Sequence, residues 1–324
     1  MLPRRQPRTN GAHTPMNPIR PTKIPDMAIA WAALVCQLGI VVTGALVRLT
    51  GSGLGCPTWP ECMPGSYTPV PHPATREHAY IEFGNRLLTF AVIVSAVAAL
   101  IVGLRWARHT GRRALLGLAA VPLAGTVVQA VVGGLTVLTG LSPWWVSAHF
   151  LVSTLVIAGT QIFVVKLQQA RDAEPAQVAV SPASSFAPKV RSLTQVIMVS
   201  AAVVTVLGVV VTGSGPHAGD ANVTARLPLQ PLVATVLHSS AAWTVLICAF
   251  LLWRETRAPK SNPMLRRAST RLLVLVLAQA ALGYSQAALG LPIGLVGVHV
   301  LCAVLIWSGA VRLWATTHER TKSA

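Results

Sequence analysis

Eight stretches of this chain are apolar at nearly every position: about Met27–Val47, Ile81–Leu104, Ala114–Leu138, Trp144–Val165, Leu193–Val211, Leu232–Trp253, Leu272–Leu289 and Ile293–Trp314. Each is close to the roughly 20 residues that a helix needs to cross a bilayer core. None alternates apolar with polar positions as a membrane β-barrel strand does. The pattern predicts an all-α integral membrane protein with eight transmembrane helices. Polar positions inside the runs are few, and they repeat. Gln129, Gly133, Gly140 and His149 recur at the same spacing as Gln279, Gly283, Gly290 and His299. Gly39-Ile-Val-Val-Thr43-Gly44, ending the first run, recurs as Gly208-Val-Val-Val-Thr212-Gly213, ending the fifth. The helices therefore form two tandem, pseudo-symmetric four-helix bundles. Four is even, so the halves share one orientation and the repeat is parallel, about an axis along the membrane normal.

The stretches between the runs set the predicted boundaries. Residues 1–25 are rich in proline and basic residues and read as a disordered cytoplasmic tail. Residues 26–167 form the first bundle and 193–318 the second. Residues 168–192, rich in Ala, Pro, Ser and Gln, read as a cytoplasmic linker, and 319–324 as a short tail. The first run lacks a small-residue cleavage site, so it reads as a membrane helix rather than a signal peptide. Connections near Thr139–Pro143 and Gly290–Pro292 are tight, which makes helices 3–4 and 7–8 close hairpins.

Composition agrees with this reading: 53% of residues are hydrophobic and 11% charged, against about 25% charged in soluble domains. A net charge of +17 raises the question of nucleic acid. With the N-terminus inside, however, all but Arg48, Arg76, Arg86 and Arg226 of the 26 basic residues fall on the cytoplasmic side. The charge then sets topology in the lipid bilayer, and no nucleic-acid partner is expected. Both termini are expected in the cytoplasm, with the protein multi-pass in the cell (plasma) membrane. A homo-oligomer is compatible with the sequence.

His149 and His299 lie several residues into helices 4 and 8, with His238 at similar depth in helix 6. A lone helical histidine is ordinarily a hydrogen-bonded core residue. Three at one depth, two of them related by the repeat, point to metal ligation. Facing imidazoles from adjacent helices suit the two axial positions of haem, and His238 with His299 makes such a pair. Aligning helix 2 with helix 6 places Asn85 opposite His238, and asparagine is a poor haem ligand. His78 is the substitute candidate, yet it lies about 10 Å nearer the outer surface. The first-half haem sits higher, or His149 holds it alone, or another residue completes the site. His13, His72, His109 and His318 read as solvated or interfacial, and His217 as an outer-loop residue.

Glu82 shares one narrow face of helix 2 with His78, Asn85 and Thr89. A carboxylate in a span is costly and usually functional, which makes Glu82 a candidate proton donor or acceptor. An i,i+4 ion pair with Arg86 that anchors the helix is the equal alternative. Cys56 and Cys62 lie in the long outer loop, where the compartment is oxidising. A disulfide there is favoured over zinc, which would need a second ligand pair. Cys36, Cys248 and Cys302 read as packing residues. The glycines of helices 3 and 7 allow close packing or leave room for a flat macrocycle, and Gln129 and Gln279 on that face suggest a lined cavity.

The run from Gly44 to Cys62, with Arg48-Leu-Thr50-Gly51-Ser52-Gly53-Leu54-Gly55-Cys56-Pro-Thr-Trp-Pro-Glu-Cys62 at its heart, resembles the signature of bacterial haem A synthases. Ile81-Glu82-Phe83-Gly84-Asn85-Arg86 is similar to that family's Glu-x-x-His-Arg segment, and Thr212-Gly-Ser-Gly-Pro-His217-Ala-Gly-Asp220 to its counterpart after helix 5. The resemblance implies oxidation of the C8 methyl of haem O to a formyl group, giving haem A for cytochrome c oxidase. It implies haem b as cofactor on His238 and His299, the substrate haem on His149, and Glu82 as the catalytic carboxylate. Asn85, Arg86, Gln129 and Arg48 would neighbour the substrate. Cys56 and Cys62 would form a disulfide that relays electrons or holds the loop. Haem O synthase (protohaem farnesyltransferase) would be the partner supplying substrate. Asn85 departs from the family's histidine and suggests an actinobacterial-type subfamily. The competing readings are a membrane cytochrome b passing electrons from quinol to an outer acceptor, and a repeat-built transporter.

Overall fold

The computed structural model describes residues 23–70, 76–173, 186–217, 219–258 and 261–318. Eight helices follow one another: α1 (Lys23–Leu49), α2 (Arg76–Thr110), α3 (Arg113–Leu138), α4 (Pro143–Ala173), α5 (Pro188–Ser214), α6 (Pro231–Glu255), α7 (Pro263–Ala288) and α8 (Ile293–Thr317). All eight are long and apolar enough to cross a membrane, and there is no strand among the described residues. This is a multi-pass all-α membrane protein. The helices overrun the apolar stretches that announce them. α2 extends to 35 residues, because backbone hydrogen bonding continues into the interface after the apolar positions stop. Residues 168–173 and 188–192 of the expected linker are helical. Its middle and most of the N-terminal tail lie outside the described residues.

Proline sets several starts, since the first turn has no use for its missing N–H. Pro188, Pro231 and Pro263 stand at N1 or N2 of α5, α6 and α7. Asn262 caps α7 by accepting from the Met264 amide at 2.8 Å. The two hairpins share one turn. Gly140-Leu141 and Gly290-Leu291 all have positive φ, at 61°, 59°, 74° and 62°. A leucine there costs about 1 kcal/mol or more. The amides of Leu141 and Leu291 close the turns on Thr136 O (2.9 Å) and Gln286 O (2.7 Å).

Within the first half α1 packs on α2, α2 on α3, α3 on α4, and α4 back on α1; α5 to α8 close in the same order. The halves join along α4 and α8, flanked by α1 on α8 and α4 on α5. Thr154, Gln161 and Gln168, seven residues apart, make a polar stripe on α4 that faces α8. Trp307 Nε1 donates to Thr154 O at 2.7 Å, Ser308 Oγ to Gln161 Oε1 at 2.8 Å, and Arg312 to Gln168 Oε1 at 3.3 Å. Arg312 also lies over the Trp31 ring of α1, 5.1 Å from its centroid. At the end bearing the chain termini, buried Asp26 accepts from Arg105 and from Trp106 Nε1, closing α1 on α2. Trp307→Ala removes a buried indole and a cross-half hydrogen bond. It is expected to cost about 3 kcal/mol, read as a lowered unfolding midpoint in detergent.

The opposite end, which carries the Cys56 loop, ties the halves a second time. Arg48 at the end of α1 reaches across to Thr212 O (3.0 Å) in the last turn of α5 and to His217 O (2.8 Å) beyond it. The Gly53 amide donates to Gly219 O at 2.8 Å. Leu141 packs beneath both glycines, where a β-carbon at either would come within 2.9–3.1 Å of its methyl.

Candidate functional site

The three histidines at common depth each rest on a glycine of the preceding helix. A β-carbon at Gly133, Gly208 or Gly283 would come 3.1, 3.1 or 3.4 Å from Cε1 of His149, His238 or His299. The glycines therefore act as cradles for imidazoles, which settles why helices 3, 5 and 7 carry them. Gln129 and Gln279 tie neighbouring helices together. Their Nε2 atoms donate to the backbone carbonyls of His149 (3.0 Å) and His299 (3.1 Å), fixing α4 on α3 and α8 on α7. Ser153 adds a further bond to Gln129 and one to His149 O. Repetition of the Gln–Gly–His unit thus has one physical meaning in both halves.

Around the histidines the halves differ. His238 and His299 face one another from α6 and α8 with ring centroids 6.4 Å apart and planes at 53°. His238 Nδ1 bonds the Val204 carbonyl of α5 at 3.0 Å, which leaves its Nε2 for another partner. His299 Nδ1 is buried without a protein partner. Two imidazoles sharing one metal ion, at about 2.0–2.1 Å per bond, would have their ring centres roughly 6 Å apart. The pair fits axial ligation of one haem iron. Among the described residues no three His, Cys, Asp or Glu side chains gather as a bare ion would require.

Among the described residues no second histidine joins His149. Asn85 lies against Gly44, its Nδ2 3.8 Å from where a β-carbon would stand. His238 lies instead against Gly208, the repeat partner of Gly39, and the space beside Gly39 is open to 4 Å. The alignment of helices 2 and 6 therefore slips by about a turn in space. Asn85 Oδ1 and His149 Nδ1 are both buried and unpartnered. His78 sits exposed in the first turn of α2, its Nδ1 2.9 Å from Ser52 Oγ. That hydroxyl in turn bonds Thr50 Oγ1 at 2.8 Å. The structure thus gives His78 to the loop after α1.

Glu82 is buried and both its oxygens are engaged. Oε1 pairs with Arg86 Nη2 at 2.7 Å, and Oε2 accepts from the Cys56 amide at 2.7 Å. Arg86 also donates to the carbonyls of Cys56 (2.9 Å), Thr58 and Glu61 (3.1 Å each). The expected ion pair is present, and it does more than anchor a helix. Together the two side chains clasp the loop in which Cys56 and Cys62 are joined, at an S–S distance of 2.06 Å. That loop delivers Trp59, which sequence reasoning passed over. Its indole packs on Gly134, where a β-carbon would come within 2.6 Å. Gly134 neighbours the Gly133 that cradles His149, so Trp59 packs on α3 one residue from that cradle. Tyr284 stands at the repeat position of Gly134 and is largely exposed. The Gly-Gly against Gly-Tyr difference was the available signal.

Arg48 bonds carbonyls of the second half. Beside it, partial burial and the Arg48 charge push His217 below the usual imidazole range. Cys36, Cys248 and Cys302 are free and half-buried in spans.

Comparison with known proteins places these features in context. A family model described as cytochrome oxidase assembly protein (COX15-CtaA) matches residues 27–311. A haem A synthase of Lysinibacillus sphaericus is 37% identical over 130 residues, 40% of this chain and 40% of that protein. One of Geobacillus kaustophilus is 30% identical over 151 residues, 46% of this chain and 44% of that protein. A Thermus thermophilus protein named protohaem IX farnesyltransferase is 28% identical over 306 residues, 90% of this chain and 48% of that protein. The chain spans less than half the length of each of these relatives.

Proposed function

Since this chain belongs to the COX15-CtaA family of cytochrome oxidase assembly proteins, we propose that it is a haem A synthase. It would oxidise the C8 methyl of haem O to a formyl group, through an alcohol, in two successive two-electron steps. The observation that carries the reading is the inequality of the two histidine sites. One half offers a facing pair at 6.4 Å. Among the described residues the other offers one histidine, a buried carboxylate on α2 and a loop bearing joined cysteines. A structure built for electron transfer alone has no use for that difference.

His238 and His299 would hold haem b, which supplies an electron-transfer centre when bound. Gln279, through the His299 carbonyl, keeps α8 at the height that places its imidazole. In the first half His149, set by Gln129 and Gly133, would ligate the substrate haem. Trp59 would shield it from water at the loop end. Glu82 is the candidate proton-exchanging group, and its hydrogen bond to the Cys56 amide links it to the cysteine loop. Arg86 would hold that loop in place. The joined cysteines would relay electrons or fix the loop. With the basic residues on the termini side, the loop end lies outside the plasma membrane and both termini in the cytoplasm. A haem O synthase is the proposed partner. The Thermus relative supports it, since a protein of that name contains a segment matching 90% of this chain within 48% of its length.

Co-expression with a haem O synthase, followed by extraction and chromatography of the bound haems, tests the proposal. Haem A or its hydroxylated precursor is the expected product. Haem b alone would reassign the protein to electron transfer, and absence of haem would sink both readings.

A further inference from the structure

We infer that the first half is an open-faced site. His149 ligates the iron of the substrate porphyrin from one side, and the other side is left, beneath the Asn85 amide, to a small exogenous ligand. The inference rests on the reading that this half takes a haem, and three observations carry it beyond that reading.

The first is the distribution of imidazoles. In the second half a helix-6 histidine completes the pair across from His299. In the first half, among the described residues, the other imidazoles are far from that depth. His78 bonds Ser52 at the loop end, and His109 packs near Trp106 in the last turn of α2. Neither reaches the level of the Gly133 cradle. The second observation is space. Gly208 is covered by the His238 ring, whereas its repeat partner Gly39 has nothing within 4 Å. Gly39 is exposed, and among the described residues no imidazole covers it.

The third observation is an unanswered polar group on the helix packed against α1. Asn85 lies at Gly44, five residues along α1 from Gly39, and its Oδ1 is buried with no protein partner. An unsatisfied buried amide oxygen is costly, and a water or a bound ligand can answer it. A carboxamide presents two N–H donors and an acceptor oxygen. It is too weak to ligate iron, yet suited to hydrogen-bond a small ligand on iron, of the class of water, hydroxide or a diatomic gas. Asparagine at this position of α2 supplies no iron ligand and leaves a buried acceptor oxygen for such a small ligand.

Carbon monoxide binds only where ferrous haem has an open axial position, so it reports the difference between the halves directly. In the full chain carrying both haems, about half of the haem should take up carbon monoxide. In His149→Ala protein the remaining haem should be low-spin and refractory. In the His238→Ala/His299→Ala double variant the remaining haem should be high-spin and fully reactive. Asn85→Leu in that background should retain carbon monoxide uptake while weakening fluoride binding to the ferric form roughly two- to tenfold, the loss of one hydrogen bond. A low-spin, refractory first-half haem in either the full chain or the double variant would overturn the inference. So would a thiolate-type carbon monoxide spectrum, which would assign the position to Cys36, one turn from Gly39. Unchanged fluoride affinity in Asn85→Leu would overturn the role of the amide. If the double variant carries no haem while His149→Ala keeps its own, the parent reading of the first half fails, and the inference with it.

Discussion

Replacing His299 with alanine should strip haem b from the protein while leaving the helices in place. The imidazole is positioned by contacts that survive its removal. Gln279 bonds the backbone carbonyl of residue 299 at 3.1 Å rather than the ring, so α7 and α8 remain joined. Gly283 loses a neighbour and gains only a small gap. His238 keeps its bond to Val204 O but is left as a single ligand. Loss of a group that merely orients a metal ligand already costs 10–100-fold, so loss of the ligand itself should exceed about 100-fold in haem affinity. Haem per polypeptide after purification is the measurement. Gln279→Leu is the graded control, with an expected loss of roughly tenfold. Unchanged haem b content in His299→Ala would remove this residue from the site.

The second large effect is expected at Glu82. Glu82→Ala should abolish haem A formation, by roughly 100- to 10,000-fold if the carboxylate exchanges protons in the reaction, and should leave haem b bound. Alanine also deprives the Cys56 amide and Arg86 of their partner, so loss of activity alone does not separate chemistry from loop holding. Glu82→Gln does. Its amide oxygen still accepts from the Cys56 amide, keeping the loop on α2, but it cannot take up a proton. Haem A production lost in both variants assigns Glu82 to proton exchange. Production retained in Glu82→Gln would make it a residue that positions the loop. Chromatography of extracted haems, with haem b as internal reference, reads both outcomes.

Several features of the site were legible because polar residues in a membrane span are expensive and therefore few. The Gln129–Gly133–His149 and Gln279–Gly283–His299 copies stood out against an apolar background, and the structure gives each residue the same contact in both halves. The 4-3-4 spacing of His78, Glu82, Asn85 and Thr89 placed them on one face of a helix by period alone. What spacing within a helix does not carry is the height of one helix against another. Matching Asn85 to His238 is sound along the sequence. In space the two amide and imidazole groups meet α1 and α5 about a turn apart, at Gly44 and Gly208. Outer connections of different length in the two halves permit that slip. Likewise, nothing in the Arg48 neighbourhood announces that its guanidinium crosses to Thr212 and His217 of the other half. Trp59 reads as one loop residue among many until Gly134 is seen beneath it.

The sequence by itself determined the solvent of this protein, its eight spans, its division into two like halves and the residue types able to hold iron. All of these follow from hydropathy and from repetition, which are properties of residues in order. Tertiary structure alone decided which imidazoles face each other, which glycine is covered and which is open, and that Glu82 is bonded to the cysteine loop as well as to Arg86. Those depend on how helices slide and turn against one another until side chains interlock. Contact reaches only a few ångströms, and a slip of one turn along α2 exchanges one set of neighbours for another.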